Sequence, residues 1–426
     1  MAYPKTLIGK VATRPNLLGA WEDISRSAKP GSHGQSEQTI QDFRSNLKSD
    51  LEIIRKELLD GTYQLGAVRA VTAKKKGGKK RPLRIADIRD RVVQRAITRK
   101  LEKPLEKKFN LLNPASYAYL RGRGVQSAIK QMLQYHQAGC RFVFEADIVS
   151  FFDTVDIQKL LNEMIFPVLP DTSLQDLITA AFNMEIGNRN DLPEEDWELY
   201  PESSTGLPQG GYLSPLFSNV YLSGFDKKML EANFRLIRYA DDFVVLCSSN
   251  EEAEKAYDLS RKILEQELGL ELHAREDDNL TGRTRIVRPS QTTIQFLGIQ
   301  FNGARIWPAD EKRQKLSQKL TDLMHSKGDD RAKTVSKLLI STHNLLEGWI
   351  ASYGFTDINK AYADKIDQQV NKNLWIALKR MDWRLDGNSL SGEQRATSGV
   401  LHIYNYLHKT RCNLSDRELW ELYWTD

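Results

Sequence analysis

The stretch RLIRYADDFVVLC, residues 235–247, places two adjacent carboxylates between apolar runs that predict one buried β-hairpin. Burying Asp241 and Asp242 side by side is costly, through desolvation and repulsion, unless a positive group compensates them. One alternative is an ordinary turn whose two acidic side chains lie in water. The other is a cation site at the tip of the hairpin, and the rest of the chain decides between them.

The composition limits what this hairpin can belong to. The chain has 426 residues, of which 40% are hydrophobic and 27% charged, which is enough for two or three domains with cores of their own. No apolar run approaches the roughly 18 residues that span a bilayer, so we expect a cytoplasmic protein without a membrane partner. The cysteines, Cys140, Cys247 and Cys412, are far apart, which argues against a disulfide framework or a zinc site. A bound metal would therefore need oxygen ligands.

Positive charge is concentrated between Arg69 and Arg123. This segment has 18 Lys and Arg against 4 Asp and Glu, whereas the net charge of the whole chain is only +5. A solvated basic face is the ordinary interpretation of a short charge run. Here the charges continue from AKKKGGKKRPLR through a helical pattern, IRDRVVQRAITRKLEKPLEKKF, which predicts contact with nucleic acid. The candidate contacts at its centre are Lys74, Lys79 and Lys80.

Hydrophobic periodicity indicates an α+β sheet domain followed by a helical one. Residues 36–60 predict an amphipathic helix that begins with a Ser36 cap and ends at Gly61. The segments AVRAVTA and RPLRIA predict a hairpin with the lysine and glycine turn at its tip. The run RFVFEADIVSFFD predicts a buried strand that carries Asp147 near its end. From residue 310 to about residue 381 the pattern is almost wholly helical.

The three carboxylates Asp147, Asp241 and Asp242 can meet at one edge of such a sheet. Carboxylate oxygens bind Mg²⁺, which in turn binds phosphates, so a carboxylate cluster beside a basic surface predicts phosphoryl or nucleotidyl transfer with two Mg²⁺ ions. One ion would lower the pKa of an attacking hydroxyl, and the other would stabilise a leaving pyrophosphate. The buried like charges are then neutralised by metal and triphosphate.

Six segments resemble, in order and spacing, the fingers and palm motifs of reverse transcriptases. They are KKKGGKKRPLRIADIRDRVVQRAI, YAYLRGRGVQSAI, ADIVSFFDTVD, GLPQGGYLSPLFSNVYL, RYADDFVV and FLGIQF. The resemblance is greatest to the bacterial group II intron lineage. It is strong over about residues 60–305 and weaker to about residue 380, where LLEGWIASYG resembles the thumb of that lineage.

The resemblance implies an α+β right-hand polymerase fold, with an antiparallel sheet flanked by helices and then an all-helical thumb. The implied domains are an N-terminal extension (1–35), fingers (36–135), a palm (136–308) with an acidic insertion near 190–202, a thumb (309–385) and a C-terminal helical extension (386–426).

The resemblance also implies roles for individual residues. The implied catalytic residues and Mg²⁺ ligands are Asp147, Asp241 and Asp242, with the backbone carbonyl of Ile148 as a further ligand. The residues implied to contact the incoming dNTP are Lys75, Arg81, Gln209 and Phe152, the last as the gate that selects the sugar. Plainer interpretations stay open: Lys75 as a solvated charge, Arg81 and Gln209 as parts of the local fold, and Phe152 as core.

Other positions depart from the family pattern or are left outside the site. A lysine that protonates pyrophosphate is usual after the YADD hairpin, and this chain offers Arg283 or Arg285 instead. Asp153 suits a helix cap or a turn better than a metal ligand. Arg238 is compatible with a surface charge.

The implied function is RNA-directed DNA polymerisation, which uses dNTPs to copy an RNA template into cDNA. Retron signatures are absent, and the chain ends at Asp426 without room for DNA-binding and endonuclease domains. We therefore expect a stand-alone enzyme similar to the defence-associated reverse transcriptases, several of which copy a companion structured noncoding RNA to resist phage. The alternative is a maturase-like RNA-binding protein in which polymerisation is secondary. The sequence does not indicate the oligomeric state.

Overall fold

The computed structural model describes most of the chain and assigns its helices and strands. The described residues are 5–74, 80–200, 206–276, 282–325, 335–380, 389–391, 394–395, 398–403 and 406–407. The helices are α1 (Leu7–Val11), α2 (Arg14–Ser27), α3 (Ile40–Ser45), α4 (Leu47–Asp60), α5 (Ile88–Phe109), α6 (Val125–Gln137), α7 (Phe151–Thr154), α8 (Ile157–Lys159), α9 (Gln175–Phe182), α10 (Ser214–Glu231), α11 (Asn250–Arg261), α12 (Asp310–His325), α13 (Val335–Tyr353) and α14 (Lys360–Lys379). The strands are β1 (Arg69–Lys74), β2 (Lys80–Ile85), β3 (Phe142–Asp147), β4 (Arg235–Tyr239), β5 (Asp242–Cys247), β6 (Arg285–Val287), β7 (Ile294–Phe296), β8 (Ile299–Phe301) and β9 (Ile306–Pro308).

Two compact units make up the chain, Met1–Ile286 and Val287–Asp426. In the first unit a four-stranded sheet has the order β4-β5-β3-β6, and β3 and β4 both pair antiparallel with β5. Aromatic rings fill the space beneath it: Phe243 lies with its ring centroid 5.7 Å from that of Phe144 and 5.1 Å from that of Phe225 on α10. Such edge contacts add to the gain from burying the rings. The predicted α+β class is confirmed.

The predicted helix over residues 36–60 is two helices, and its predicted start is wrong. The N-cap is Thr39, whose hydroxyl accepts a hydrogen bond from Asp42 N while the Asp42 carboxylate accepts one from Thr39 N. This reciprocal capping box satisfies two free backbone donors, which a serine three residues earlier cannot do. The predicted end is confirmed, because Gly61 has a φ of 71° and caps α4 in the left-handed conformation.

The basic helix α5 is partly neutralised by the N-terminal region of the chain. Asp23 on α2 accepts hydrogen bonds from Arg95 at 2.9 Å and from Arg99 at 2.7 Å. Arg91 is buried, with its Nε donating to Ala86 O at 2.7 Å. Several positive charges that the sequence assigns to a nucleic-acid surface therefore hold the fold together.

The second unit combines a small antiparallel sheet, of order β7-β8-β9, with three long helices. Trp349 on α13 lies with its ring centroid 5.3 Å from that of Tyr353 and 5.8 Å from that of Tyr362 on α14. The described part of residues 310–379 is almost entirely helical, as predicted. The further division into fingers, palm and thumb stays a prediction. Among the described residues, no helix is both long and apolar enough to cross a membrane.

Candidate active site

Two of the predicted metal ligands face each other across the main sheet. Asp147 is the last residue of β3, Asp242 is the first of β5, and the two are directly paired in the antiparallel register. Directly opposed side chains lie on the same face of a sheet. Asp241 occupies the turn immediately before β5, and Ile148 follows Asp147 with its side chain buried. The alternation of apolar residues in both strands thus brings the carboxylates to one edge.

The electrostatics of this edge favour a cation. Burial raises the pKa of Asp242 well above its usual value, and the neighbouring charges of Asp147, Asp241 and Glu145 raise the pKa further. A carboxylate in such surroundings ionises readily only when a positive group approaches it. A bound cation would therefore compensate the buried negative charges that the sequence of the hairpin places here.

An arginine lies against the same cluster. Arg283 Nη1 donates to Asp147 Oδ2 at 3.1 Å and lies 2.8 Å from His273 Nε2. The second predicted candidate, Arg285, is 3% exposed in its side chain and pairs with Glu145. Arg283 thus contacts a predicted metal ligand, whereas Arg285 pairs with the neighbouring Glu145.

The residues present suit Mg²⁺ without forming a closed cage. Among the described residues, no group of three or more His, Cys, Asp and Glu side chains could enclose a metal ion. Mg²⁺ commonly binds to one or two carboxylates and completes its shell with water and substrate phosphates. The opposed Asp147 and Asp242, with Asp241 beside them, fit this open type of site.

Arg238 is fully buried, so its interpretation as a surface charge is wrong. Its guanidinium donates to both carboxylate oxygens of Asp226 at 2.6 Å, to Asn219 Oδ1 at 3.1 Å and to Ser116 Oγ at 3.1 Å. It also donates to the carbonyl oxygen of Ala240 at 3.0 Å, the residue immediately before the acidic pair. Ala240 has a φ of 60°, a backbone conformation that residues other than glycine rarely adopt. The buried arginine therefore holds the turn that carries Asp241.

A series of side-chain hydrogen bonds joins β2, the turn that carries Gln209 and the short helix α7. Arg81 Nε on β2 donates to Gln209 Oε1 at 2.6 Å, and Gln209 Nε2 donates to Asp153 Oδ1 at 3.2 Å. The backbone supports the same arrangement, because Arg84 N donates to Gln209 O at 2.8 Å. Arg81 and Gln209, predicted to contact the same nucleotide, are thus in direct contact. Asp153, which we had left outside the site, orients Gln209.

Phe152 and its neighbour lie on the short helix α7 rather than on an extended strand. Phe151 is 1% exposed and belongs to the core, whereas Phe152 is half-buried. The carbonyl of Phe152 accepts a hydrogen bond from Leu207 N at 2.6 Å, next to Gly206. A Cβ atom at Gly206 would lie 2.2 Å from this carbonyl oxygen, and the φ of Gly206 is 86°.

Gly206→Ala is therefore expected to disturb the attachment of the Gln209 turn to α7. The left-handed conformation alone costs about 1–3 kcal/mol for a residue with a side chain, and the backbone clash adds to it. We expect a lower melting temperature and a higher KM for dNTP. The matched control is Gly224→Ala inside α10, where an added Cβ meets nothing within 4 Å, and which should be neutral or stabilising. Equal behaviour of the two variants would contradict the role of this close approach.

Lys80 of the basic hairpin is paired with acidic side chains. Lys80 Nζ donates to Asp196 Oδ1 and Glu195 Oε1, each at 2.5 Å, and these partners raise the pKa of Lys80. The acidic insertion thus lies on the hairpin, and its short helical turn Glu194–Leu199 neutralises one predicted nucleic-acid contact. Lys74 ends β1, whereas Lys75 and Lys79 lie outside the described residues.

Two residues border the site without having been singled out from the sequence. Arg84 on β2 lines a cleft of about 360 Å³ together with Lys80, Asp153 and Gln209. Tyr119 is 52% exposed with a φ of 60°. Partial burial raises the pKa of Tyr119, and the charge of Asp241 raises it further. Non-glycine residues held in this unusual backbone conformation cluster at functional sites, and Tyr119 lies near the predicted ligand Asp241.

The chain that carries these carboxylates, the basic hairpin and the glycine-rich turn also matches a known protein family. Residues 73–301, more than half of the chain, match the reverse transcriptase (RNA-dependent DNA polymerase) family. The chain belongs to this family. The residues matched include every predicted catalytic, metal-binding and dNTP-contacting position.

Relatives with curated descriptions include intron-encoded proteins. Protein YkfC of Escherichia coli (strain K12) is 34% identical over 233 residues, which are 52% of this chain and 56% of YkfC. Group II intron-encoded protein LtrA of Lactococcus lactis subsp. cremoris is 29% identical over 235 residues, 55% of this chain and 37% of LtrA. The chain thus spans about half or less of the length of these relatives. The predicted similarity to group II intron-encoded proteins is confirmed.

Solved structures similar to this chain include a Cas complex and a telomerase. A partial Cas6-RT-Cas1–Cas2 complex is 24% identical, with a TM-score of 0.36, and covers 61% of this chain and 43% of the matched one. Telomerase from Candida albicans in complex with a fragment of telomeric RNA is 12% identical, with a TM-score of 0.41, and covers 91% of this chain and 71% of the matched one.

Proposed function

We propose that this chain is an RNA-directed DNA polymerase that copies an RNA template into cDNA from dNTPs. The observation that carries the proposal is the direct pairing of Asp147 with Asp242 beside Asp241, in a chain of the reverse transcriptase family. The buried free thiols of Cys140 and Cys247 are compatible with work in the reducing cytoplasm.

The residues of the site have distinct parts in the proposed reaction. Asp147, Asp241 and Asp242, with the carbonyl of Ile148, would hold two Mg²⁺ ions. Bound there, the ions would supply the positive charge that lowers the pKa of the attacking primer hydroxyl and stabilises the leaving pyrophosphate. Gln209, oriented by Arg81 and Asp153, would position the nucleotide. Lys75 and Arg81 would contact its triphosphate.

The direct test is primer extension on an RNA template with dNTPs and Mg²⁺. We expect template-dependent cDNA that disappears when EDTA removes the metal. An intact, RNA-binding protein that makes no cDNA over a range of primers and templates would contradict the proposal.

The sugar gate is tested by Phe152→Ala. If its half-buried ring packs under the deoxyribose, the ring leaves no space for a 2′-hydroxyl, and removing it should lower discrimination against NTPs about tenfold to a hundredfold. Single-nucleotide extension with dNTP and NTP measures this ratio. The control is Phe151→Ala, which should cost about 3–5 kcal/mol of stability without changing sugar choice, because Phe151 is in the core. Unchanged discrimination in an active Phe152→Ala enzyme would place the gate elsewhere.

The nucleic-acid surface is tested by the basic hairpin. Replacing Lys74, Lys75, Lys79 and Lys80 together with Ala should weaken RNA binding and flatten its salt dependence. Freeing Lys80 by the double substitution Glu195→Gln and Asp196→Asn should do the opposite, steepening the slope of log Kd against log salt by about 0.7. Glu194→Gln removes a negative charge from the same insertion without freeing a lysine. If that control acts like the double variant, the Lys80 contact is not the cause.

The alternative function is that of a maturase-like RNA-binding protein in which polymerisation is secondary. The similarity to a group II intron-encoded protein favours it. Splicing of an intron RNA by an Asp241→Asn variant, which should not polymerise, would support this alternative.

We further propose that the template is a structured noncoding RNA encoded nearby and that copying it serves antiphage defence. What supports this is the resemblance to defence-associated reverse transcriptases, together with the basic hairpin as a surface for RNA. Sequencing the RNA and DNA that copurify with the protein should recover one enriched transcript and its cDNA. Full activity on arbitrary RNA with no enriched transcript, or unchanged phage sensitivity on deletion, would contradict it.

A further inference from the structure

A cavity of about 530 Å³ lies within the second unit, which contains none of the predicted site residues. It is bordered by the turn between β8 and β9, the start of α12 and the loop that leads into α14. Its volume lies in the range of small-molecule and nucleotide sites. The residues that matter here are Arg305, Trp307, Arg313 and Tyr362. We call this cavity the Trp307 pocket.

Trp307 offers the pocket an aromatic surface. It is the central residue of β9, between the buried Ile306 and Pro308, and is itself only half-buried. Alternation along the strand therefore turns its side chain away from the core, on the side of its cross-strand partner Gln300. A half-exposed indole at the edge of a cavity can stack on any nucleobase, because every base has a flat aromatic face.

Two guanidinium groups give the pocket its positive charge. Arg305 is exposed on a turn whose backbone is fixed by Asn302, since Asn302 Oδ1 accepts hydrogen bonds from Ala304 N at 3.1 Å and Arg305 N at 2.9 Å. Arg313 lies over the ring of Tyr362 at 5.5 Å and also pairs with Asp310. Arginine binds phosphate through paired N–H groups, so Arg305 is well placed for one phosphate.

The hydroxyl of Tyr362 is the feature that the fold itself leaves unexplained. It is buried, and within the described part of the chain it has no hydrogen-bond partner. Burial raises the pKa of Tyr362 to about 12, so the hydroxyl keeps its proton and can donate. An unpaired buried hydroxyl is unfavourable, and native proteins retain few of them without a reason. The oxygen is closed off from the pocket, so a ligand oxygen satisfies it only after the ring of Tyr362 shifts as the ligand enters.

We propose that the Trp307 pocket binds one unpaired nucleotide of an RNA strand, with its base on Trp307, its phosphate on Arg305 and an oxygen accepting from the Tyr362 hydroxyl. The pocket does not suit a free triphosphate, because Asp357 and the Asp310 partner of Arg313 leave too little positive charge for three phosphates. Asp357 is held in place by the fold, since its Oδ2 accepts from Ile306 N at 2.9 Å. The proposal rests on the proposed function for the choice of RNA and adds a second contact with it.

The test is binding of the full chain to a short single-stranded RNA, followed by fluorescence anisotropy. We expect Trp307→Ala and Arg305→Ala each to weaken binding about tenfold, and Trp307→Phe to retain most of it. Arg380→Ala is the matched control. It removes the same charge at the other end of α14, about 30 Å from the pocket, and should change binding little.

Tyr362→Phe separates a ligand contact from a structural role. Removing an unpaired buried hydroxyl should leave the melting temperature unchanged or raise it, yet the proposal requires weaker RNA binding, by about fivefold. Unchanged binding in Trp307→Ala and Tyr362→Phe would overturn it. A DNA strand of the same sequence is the second arm. Because a base and a phosphate are present in both strands, Trp307→Ala should weaken any binding of the DNA as well, and DNA binding that is unchanged in this variant would contradict the stacking contact.

Primer extension, measured in parallel, distinguishes this proposal from the proposed function. If the wild-type chain makes no cDNA but the pocket variants lose RNA binding, the polymerase assignment fails and the pocket stands. If the wild-type chain extends primers and the variants bind RNA normally, the pocket fails alone.

Discussion

Asp241→Asn is expected to abolish primer extension while the protein stays folded and still binds RNA. The substitution keeps the shape of the side chain and removes the charge that would face Mg²⁺. Metal ions contribute several kcal/mol of transition-state stabilisation, so the loss should be about a thousandfold or more. RNA binding should survive, because the substitution removes none of the positive charges of the basic hairpin.

The control for this variant is Asp258→Asn, which makes the same chemical change on the exposed face of α11. Rates are compared under single-turnover conditions, so that chemistry is separated from product release. Folding is checked by thermal melting, and RNA binding by anisotropy. Near-normal extension by Asp241→Asn would refute the two-metal interpretation of the whole carboxylate cluster.

Local pattern was sufficient to predict the carboxylate cluster. Asp147 ends a run of apolar residues, and Asp241 and Asp242 interrupt another, so each position follows from strand periodicity alone. Their common edge follows from antiparallel pairing, which puts the end of one strand beside the start of its partner. Whether they bind Mg²⁺ stays a prediction.

The role of Arg238 could not be read from local pattern. Its partners Asp226 and Ser116 are 12 and 122 residues away, and the favourable geometry exists only after the sheet, α10 and the preceding loop have packed. One signal was available: Arg238 follows Leu236 at the period of two, on a strand that the pattern already marks as buried. A charged residue at an inward position predicts a buried partner rather than a surface site.

The pairing of Lys80 with the acidic insertion also could not be predicted from the sequence. Glu195 in the acidic insertion lies 115 residues after Lys80 in the sequence, and no periodicity links the two segments. Net charge along the chain counts such a lysine as available for RNA. In the fold its charge is already compensated, so charge counting overestimates the basic surface.

Arg238→Met is expected to destabilise the fold as strongly as the core substitution Phe151→Ala. The five N–H groups of Arg238 all donate to buried acceptors, including the carboxylate of Asp226. Removing the guanidinium leaves that carboxylate buried without its cation, which typically costs about 3–5 kcal/mol. Arg238→Lys should recover only part of this, because an ammonium group has three donors and cannot reproduce the planar fork. Thermal and denaturant unfolding should rank the wild type as most stable, Arg238→Lys as intermediate and Arg238→Met as least stable.

A second variant separates stability from positioning of the catalytic turn. Arg238→Met combined with Asp226→Leu removes both buried charges, so most of the lost stability should return. The carbonyl of Ala240 still lacks its donor, and the turn before Asp241 is no longer held. We therefore expect a folded protein that extends primers slowly and needs more Mg²⁺ for half-maximal rate. Arg95→Met on α5, which breaks the ion pair with Asp23 on α2, should lower stability without changing the Mg²⁺ requirement. If activity and Mg²⁺ dependence recover together with stability in the double variant, Arg238 supports the fold and does not position the turn.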